Sequence, residues 1–146
     1  MSYWDTSALA KLYTAEADSP VFEAKAAEPD TTLTTARVTV FEFRRVALRK
    51  ELAGSIQPGA AETVWRELEA DIAPGWLRIV EPMEQVTQEF DRVMTTCYRH
   101  SPPVLVRTMD ALHLAAAHVA GEAEIVATDK KLREAAAMLG FKLFPV

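Results

Sequence analysis

The alternation of short strand-like segments with longer helical segments constrains the fold of this chain most. β-branched and aromatic residues concentrate in short runs, and the stretches between them carry apolar residues at helical spacing. Strands that alternate with helices favour a parallel sheet that the helices cover on both faces. The pattern therefore predicts an α/β fold with strands at residues 2–5, 31–35, 76–80, 124–128 and 142–146.

Capping residues, prolines and glycines indicate where the helices begin and end. The predicted helices cover residues 6–16, a segment from Ser19 onward, and residues 36–53, 58–71, 82–100, 107–121 and 129–140. No repeat, linker or low-complexity tract interrupts the 146 residues. We therefore expect a single domain that spans residues 1–146.

Cysteine content and hydropathy predict the compartment. Cys97 is the single cysteine, so no intrachain disulfide can form, which favours a reducing environment. The first segment, MSYWDTSA, lacks the basic and apolar regions of a signal peptide. The weakly polar run at residues 111–121 is too short to cross a bilayer. We expect a cytoplasmic protein without membrane association.

Two aspartates stand where strands end. Asp5 follows the first strand and Asp129 follows the fourth, so in a parallel sheet both lie at the carboxyl edge, where ligands bind. Each aspartate also precedes a helix, and the alternative is that each serves only as an N-cap.

Two further acids stand in segments that build the core. Glu42 shares a helical face with Val38 and Val46, and a charge in an apolar column needs a partner. The alternative for Glu42 is a salt bridge to Arg45 or a side chain that reaches solvent at the edge of the column. Asp110 lies in the first turn of an alanine-rich helix, and its alternative is an ordinary ion pair with Arg107.

Four carboxylates that converge repel one another, and a hard cation is the usual remedy. Mg²⁺ and Mn²⁺ prefer oxygen ligands, so this acidic set points to one of them. The three histidines have no zinc-type spacing with each other or with Cys97. We expect His113 and His118 to pack between helices or to lie at the surface.

Four segments together resemble the PIN domain family, and more narrowly the VapC-type toxins of toxin–antitoxin systems. The segments are YWDTSALAKLY, FEFRRVALRK, RTMDALHLAAA and IVATDKKLREAA, in an order and spacing that match the family across nearly the whole chain. The resemblance implies a Rossmann-like three-layer α/β/α sandwich with a central parallel sheet of four to five strands. It maps the acidic quartet of the family onto Asp5, Glu42, Asp110 and Asp129.

The resemblance also implies an activity and partners. These are the metal-dependent hydrolysis of RNA phosphodiester bonds with Mg²⁺ or Mn²⁺ held by the acidic quartet, a VapB-type antitoxin, and a homodimer. Thr128 matches a hydroxyl residue commonly found beside the last acid. Thr6 or Ser7 matches a supporting position near the first acid, where a hydroxyl can hold the carboxylate or a metal-bound water.

The formal net charge of −5 argues against a protein that coats nucleic acid through a positive surface. A nuclease stays compatible with it, because a bound divalent cation supplies positive charge where a phosphate must sit. Basic side chains near the acidic segments are candidate contacts to the nucleic-acid backbone: Lys11, Arg37, Arg44, Arg45, Arg107, Lys130 and Lys131.

Other functions fit parts of the pattern. Within the family, the alternatives are a PIN nuclease that is not a toxin and a partner protein that has lost activity. A haloacid-dehalogenase-type phosphatase also places an aspartate after its first strand, but Ser7 stands where its second aspartate is usual. A nucleotide-binding module needs a glycine-rich first turn, which is missing here.

Overall fold

The computed structural model describes residues 1–146 and contains one five-stranded sheet. All neighbouring strands pair in parallel, in the order β3-β2-β1-β4-β5. The strands are β1 Ser2–Trp4, β2 Leu33–Ala36, β3 Leu77–Val80, β4 Glu124–Val126 and β5 Lys142–Phe144. The predicted α/β class and the parallel sheet of five strands are confirmed.

Seven α-helices connect and cover the strands. They are α1 Thr6–Leu9, α2 Ser19–Ala26, α3 Arg37–Leu52, α4 Ala60–Ile72, α5 Glu84–Arg99, α6 Thr108–Val119 and α7 Lys130–Met138. A short 3₁₀ segment, Ala10–Leu12, continues α1. None of these helices combines the length and apolar character that a membrane span requires.

The predicted helix boundaries at Glu16 and Pro58 are wrong. The first helical segment ends at Leu12 rather than Glu16, because the chain turns back so that Lys11 can contact Glu16 and Asp18. The Lys11 ammonium is 2.6 Å from the Glu16 carboxylate and 2.7 Å from that of Asp18. Helix α4 begins at Ala60, since Gly59 adopts a left-handed φ of 83° that no helix continues.

Hydrophobic packing covers both faces of the sheet. Adjacent residues of a strand point to opposite faces. Accordingly Tyr3 packs among residues of α5, α6 and α7, whereas Trp4 packs among residues of α1 to α4. Both aromatic side chains are fully buried, and burying each stabilises the fold by roughly 2–3 kcal/mol relative to exposure. The three-layer α/β/α arrangement follows from these two packed faces.

The direction of the connections reverses at β1. From β1 the chain adds β2 and β3 on one side of the sheet, and it later returns to place β4 and β5 on the other side. Such a switch point opens a crevice beyond the carboxyl ends of the two central strands. Asp5 extends the pairing of these strands, because its N–H donates to the carbonyl of Val126 at 3.1 Å.

Candidate active site

A pocket of about 730 Å³ lies at this crevice. Thirteen residues line it, and only two of them are hydrophobic. The four predicted acids, which lie far apart along the chain, all contribute to its wall: Asp5, Glu42, Asp110 and Asp129. The fold therefore gathers four carboxyl side chains in one polar cavity at the carboxyl edge of the sheet.

Asp5 is the most enclosed of the strand-end acids, with 4 % of its surface exposed. Its Oδ1 accepts a hydrogen bond from the N–H of Ala8 at 2.9 Å, so it is also the N-cap of α1. The Ser7 hydroxyl donates to the Asp5 carboxylate at 2.8 Å and accepts from the N–H of Thr128 at 3.0 Å. Burial raises the pKa of Asp5 above its ordinary value despite these hydrogen bonds.

Glu42 reaches the pocket from the middle of α3. The Thr6 hydroxyl donates to Glu42 Oε1 at 2.9 Å, and the ring nitrogen Nε2 of His113 lies 2.6 Å from the same oxygen. Partial burial pulls the pKa of Glu42 upward, but the hydrogen bonds from His113 and Thr6 outweigh burial and leave this pKa below its usual range. The alternative salt bridge from Glu42 to Arg45 does not form.

His113 is a pocket residue that sequence reasoning missed. It is buried, as expected for a residue between helices, but its ring contacts both Glu42 and the Tyr3 hydroxyl. Its position three residues after Asp110 places both side chains on one face of α6, which was the available signal. His118 contacts Glu89 and the ring of Phe141, away from the pocket.

Arg107 pairs with the other two acids and offsets one of their two negative charges. Its guanidinium contacts Asp110 at 2.6 Å and 3.2 Å and Asp129 at 2.9 Å. The ion pair expected as the alternative for Asp110 therefore exists, although Asp110 also lines the pocket. The same arginine supplies part of the positive charge that the sequence argument assigned to a metal alone.

Asp129 combines this ion pair with helix capping. Its Oδ1 accepts from the N–H groups of Lys131 and Leu132 at 2.9 Å and 3.1 Å, at the start of α7. Burial pulls the pKa of Asp129 upward, but these amides and Arg107 outweigh burial, so this pKa lies below its usual range. The two carboxylates raise the pKa of Arg107, which keeps its charge at every accessible pH.

The donors in this pocket suit a hard divalent cation. They are carboxylate and hydroxyl oxygens, and no thiolate lines the cavity. Glu42 Oε2 accepts no hydrogen bond from the protein, because both donors end on Oε1. No three His, Cys, Asp or Glu side chains lie close enough together to hold an ion between them. A cation must compete with Arg107 for Asp110, because Arg107 contacts both of its oxygens. Asp129 leaves its Oδ2 to a cation, because its three contacts all end on Oδ1.

The predicted hydroxyl residues have different roles. Thr6 donates to Glu42 and Ser7 donates to Asp5, and both line the pocket. Thr128 is exposed and contributes its backbone N–H, which donates to Ser7, rather than its hydroxyl. The hydroxyls thus connect the ends of β1 and β4 with α3.

The predicted basic residues divide into two groups. Arg45 and Arg107 line the pocket, together with Arg49, which sequence reasoning missed. The others lie outside its wall: Lys11, Arg37, Arg44, Lys130 and Lys131.

Ion pairing separates the arginines of α3 further. Arg37 and Arg44 are engaged by Glu81 and Glu62. By contrast, Arg45 and Arg49 are exposed and form no ion pair. One helical turn separates the two, so they form a basic strip along one rim of the acidic pocket.

Comparisons with known proteins agree with this architecture. A family model described as PIN domain matches residues 2–138. No curated protein matches the chain in a sequence comparison.

Solved structures share the fold at low identity. FitAcB from Neisseria gonorrhoeae superposes with a TM-score of 0.74 at 16 % identity, covering 99 % of this chain and 96 % of that one. VapC20 from Mycobacterium tuberculosis, a toxin that cleaves the sarcin–ricin loop, gives 0.66 at 18 % identity, covering 92 % and 95 %. VapBC2 from Rickettsia felis, bound to a promoter DNA fragment, gives 0.66 at 13 % identity, covering 98 % and 97 %.

Proposed function

Because this chain belongs to the PIN domain family, we propose that it is a divalent-metal-dependent endoribonuclease and the toxin of a toxin–antitoxin pair. One observation carries the nuclease proposal: four carboxylates line a single polar pocket that has a basic rim. Acidic side chains would hold the cation, and the arginines beside them would bind the phosphates of the substrate.

Asp5, Asp110 and Asp129, with Glu42, are the residues that would hold Mg²⁺ or Mn²⁺. When bound, such an ion lowers the pKa of a water molecule and stabilises the charge that develops on the phosphate. Glu42 is ionised before a cation binds, because His113 and Thr6 hold its pKa below the usual range. Ser7 restrains the Asp5 carboxylate, so this ligand is oriented before a cation arrives.

Arg45 and Arg49 would contact the RNA backbone. Both are free of ion pairs and line the pocket, so they are available to phosphate oxygens without losing a protein partner. They also offset locally the net charge of −5, which would otherwise repel RNA.

The toxin role rests on fold similarity and on the family. VapC20 and VapBC2 share this fold across nearly their whole lengths. A toxin–antitoxin complex from Klebsiella pneumoniae also shares it, with a TM-score of 0.62. A VapB-type antitoxin partner, a homodimer and a cytoplasmic location stay predictions for this chain.

Two assays test the proposal separately. In the first, purified protein is incubated with RNA in millimolar Mn²⁺ and in EDTA, beside an Asp5→Asn variant. We expect cleavage only by the wild type with Mn²⁺, and cleavage that survives EDTA would contradict the metal-dependent mechanism.

In the second assay, the wild type and Asp5→Asn are expressed in a bacterial host. We expect the wild type alone to slow growth, and coexpression of the cognate antitoxin to restore it. Normal growth with abundant folded wild type would contradict the toxin role. RNA cleavage in the first assay would then favour a PIN nuclease that is not a toxin.

A further inference from the structure

We propose that His113 is a positioning residue that holds one oxygen of Glu42 and leaves the other free to bind the cation. This inference rests on the proposed metal-dependent function. It concerns a buried chain of side chains that runs from β1 through α6 to α3. The chain consists of Tyr3, His113 and Glu42.

The geometry of the chain is tight. The Tyr3 hydroxyl lies 2.7 Å from His113 Nδ1, and His113 Nε2 lies 2.6 Å from Glu42 Oε1. Tyr3 and His113 are 0 % and 3 % exposed, and their rings meet edge to face with centroids 5.9 Å apart. A ring that is buried and bonded at both nitrogens has a single orientation.

The proton positions follow from the chemistry of the end groups. The Glu42 carboxylate can only accept, so the hydrogen of this bond belongs to His113 Nε2. In the neutral imidazole Nδ1 is then the acceptor, and the Tyr3 hydroxyl donates to it. The Thr39 hydroxyl also lies 3.4 Å from Nδ1, so the Tyr3 hydroxyl at 2.7 Å is the nearer donor. Tyr3 therefore favours the tautomer that donates to Glu42.

The two carboxylate oxygens of Glu42 differ in their hydrogen bonds. Oε1 accepts from both His113 and Thr6, whereas Oε2 accepts from neither. A glutamate on a helix has several rotamers, and these two donors select one of them at the pocket wall. Outer partners that orient a metal-binding group typically change metal affinity or activity by about 10-fold to 100-fold.

Four variants of the full chain test this role. His113→Leu removes the donor, whereas His113→Gln retains an amide that can donate to Glu42. Tyr3→Phe removes only the hydroxyl that sets the tautomer. His118→Leu is the matched control, because His118 lies on the same helix and its ring also contacts a glutamate, Glu89, but outside the pocket.

The first readout is the Mn²⁺ concentration that gives half of the full rise in melting temperature, measured without RNA. We expect His113→Leu to raise this concentration about 10-fold to 100-fold. His113→Gln should restore most of the loss, Tyr3→Phe should show a smaller increase of the same sign, and His118→Leu should match the wild type. The second readout is RNA cleavage, in which His113→Leu should lower kcat more than it raises KM.

Several results would overturn the inference. One is an unchanged Mn²⁺ response in folded His113→Leu, as expected of a residue that only packs. If His113→Leu does not fold, the other variants decide. The inference is then overturned if Tyr3→Phe responds to Mn²⁺ as the wild type does and if His113→Gln and His118→Leu lose Mn²⁺ affinity equally. If the wild type cleaves RNA with Mn²⁺ but the variants show the wild-type Mn²⁺ response, this inference is wrong and the proposed function stands. A wild type without any Mn²⁺ response removes the metal part of the proposed function as well.

Discussion

The two halves of the pocket keep their carboxylates in place by different means. In the Glu42 half, which comprises Asp5 and Glu42, hydroxyls, a backbone amide and a buried histidine hold the acids. In the Arg107 half, which comprises Asp110 and Asp129, one guanidinium bridges both acids. The side chain of Arg107 is 51 % exposed, whereas that of His113 is 4 % exposed.

The Glu42 half is preorganised by hydrogen bonds, whereas the Arg107 half is stabilised by charge balance. Short donors on well-packed elements fix the Glu42 half before any cation binds, which is how binding sites reduce reorganisation. In the Arg107 half, the positive charge sits on a long side chain that water can reach and that a metal cation could displace. We therefore expect the Glu42 half to resist change and the Arg107 half to rearrange when a metal enters.

The largest expected effect compares one acid from each half. Asp5→Asn should lower the rate of RNA cleavage more than about 100-fold, because removing a ligand costs more than removing its outer partner. Asp129→Asn should cost about 10-fold, since Arg107 and two amides already contact its Oδ1 and only Oδ2 is left to a cation. Initial rates in millimolar Mn²⁺ measure both, with melting curves as the control for folding. Equal losses would contradict the distinction.

The next effect concerns the rim that adjoins both halves. Arg45→Gln and Arg49→Gln should each reduce the slope of log affinity against log salt by about 0.7, the value for one phosphate contact on single-stranded RNA. Fluorescence anisotropy with a labelled oligonucleotide measures this slope in an Asp5→Asn background that does not cleave. Arg44→Gln is the matched control, because Arg44 is on the same helix but is paired with Glu62. A slope that falls equally in all three variants would count against a specific rim.

Removing the positive charge of Arg107 should destabilise the metal-free protein. Arg107→Gln leaves the buried Asp110 without its ion pair, and we expect a cost of about 1 kcal/mol after allowing for the exposure of the arginine. This cost corresponds to a melting temperature lower by roughly 2–5 °C in EDTA.

The same variant should respond more strongly to metal. Without the competing guanidinium, Mn²⁺ should raise the melting temperature of Arg107→Gln more than that of the wild type. Arg37→Gln, which breaks an exposed pair with Glu81 outside the pocket, is the control. A smaller Mn²⁺ response in Arg107→Gln would show that Arg107 helps to assemble the metal site rather than competing for it.

The smallest effect is a difference in the pH dependence of stability. Because the folded-state pKa of Asp5 is raised, its ionised form destabilises the fold. Asp5→Asn should therefore raise the melting temperature in EDTA by roughly 2–4 °C at neutral pH. This gain should vanish as the pH falls through the raised pKa towards the unfolded value.

Asp129 should behave in the opposite way. Its folded-state pKa is lowered, so its ionised form stabilises the fold above the unfolded pKa and loses this contribution as the pH falls through the folded pKa. Asp129→Asn should lower the melting temperature at neutral pH and converge with the wild type in acid. Melting curves in EDTA between pH 3 and pH 8 measure both variants, and shifts of the same sign would contradict the assignment.

Much of the fold could be predicted from local sequence patterns. Strand-forming runs, capping residues and prolines gave the correct order of strands and helices and a parallel sheet. The boundary at Glu16 was wrong, because the ion pairs of Lys11 with Glu16 and Asp18 depend on a turn that helical periodicity does not encode. The alternation of elements also placed Asp5 and Asp129 at one edge of the sheet.

The sequence by itself determined which acids reach the pocket, because strand ends and helical faces are local properties. The tertiary structure decided what each acid touches. Glu42 and His113 are 71 positions apart and meet only after α3 and α6 pack side by side. Arg107 was visible as a neighbour of Asp110, but its bridge to Asp129 needs α6 and α7 to begin at the same sheet edge. Hydrogen bonds and ion pairs act over a few ångströms in space, so sequence spacing reveals them only within one element.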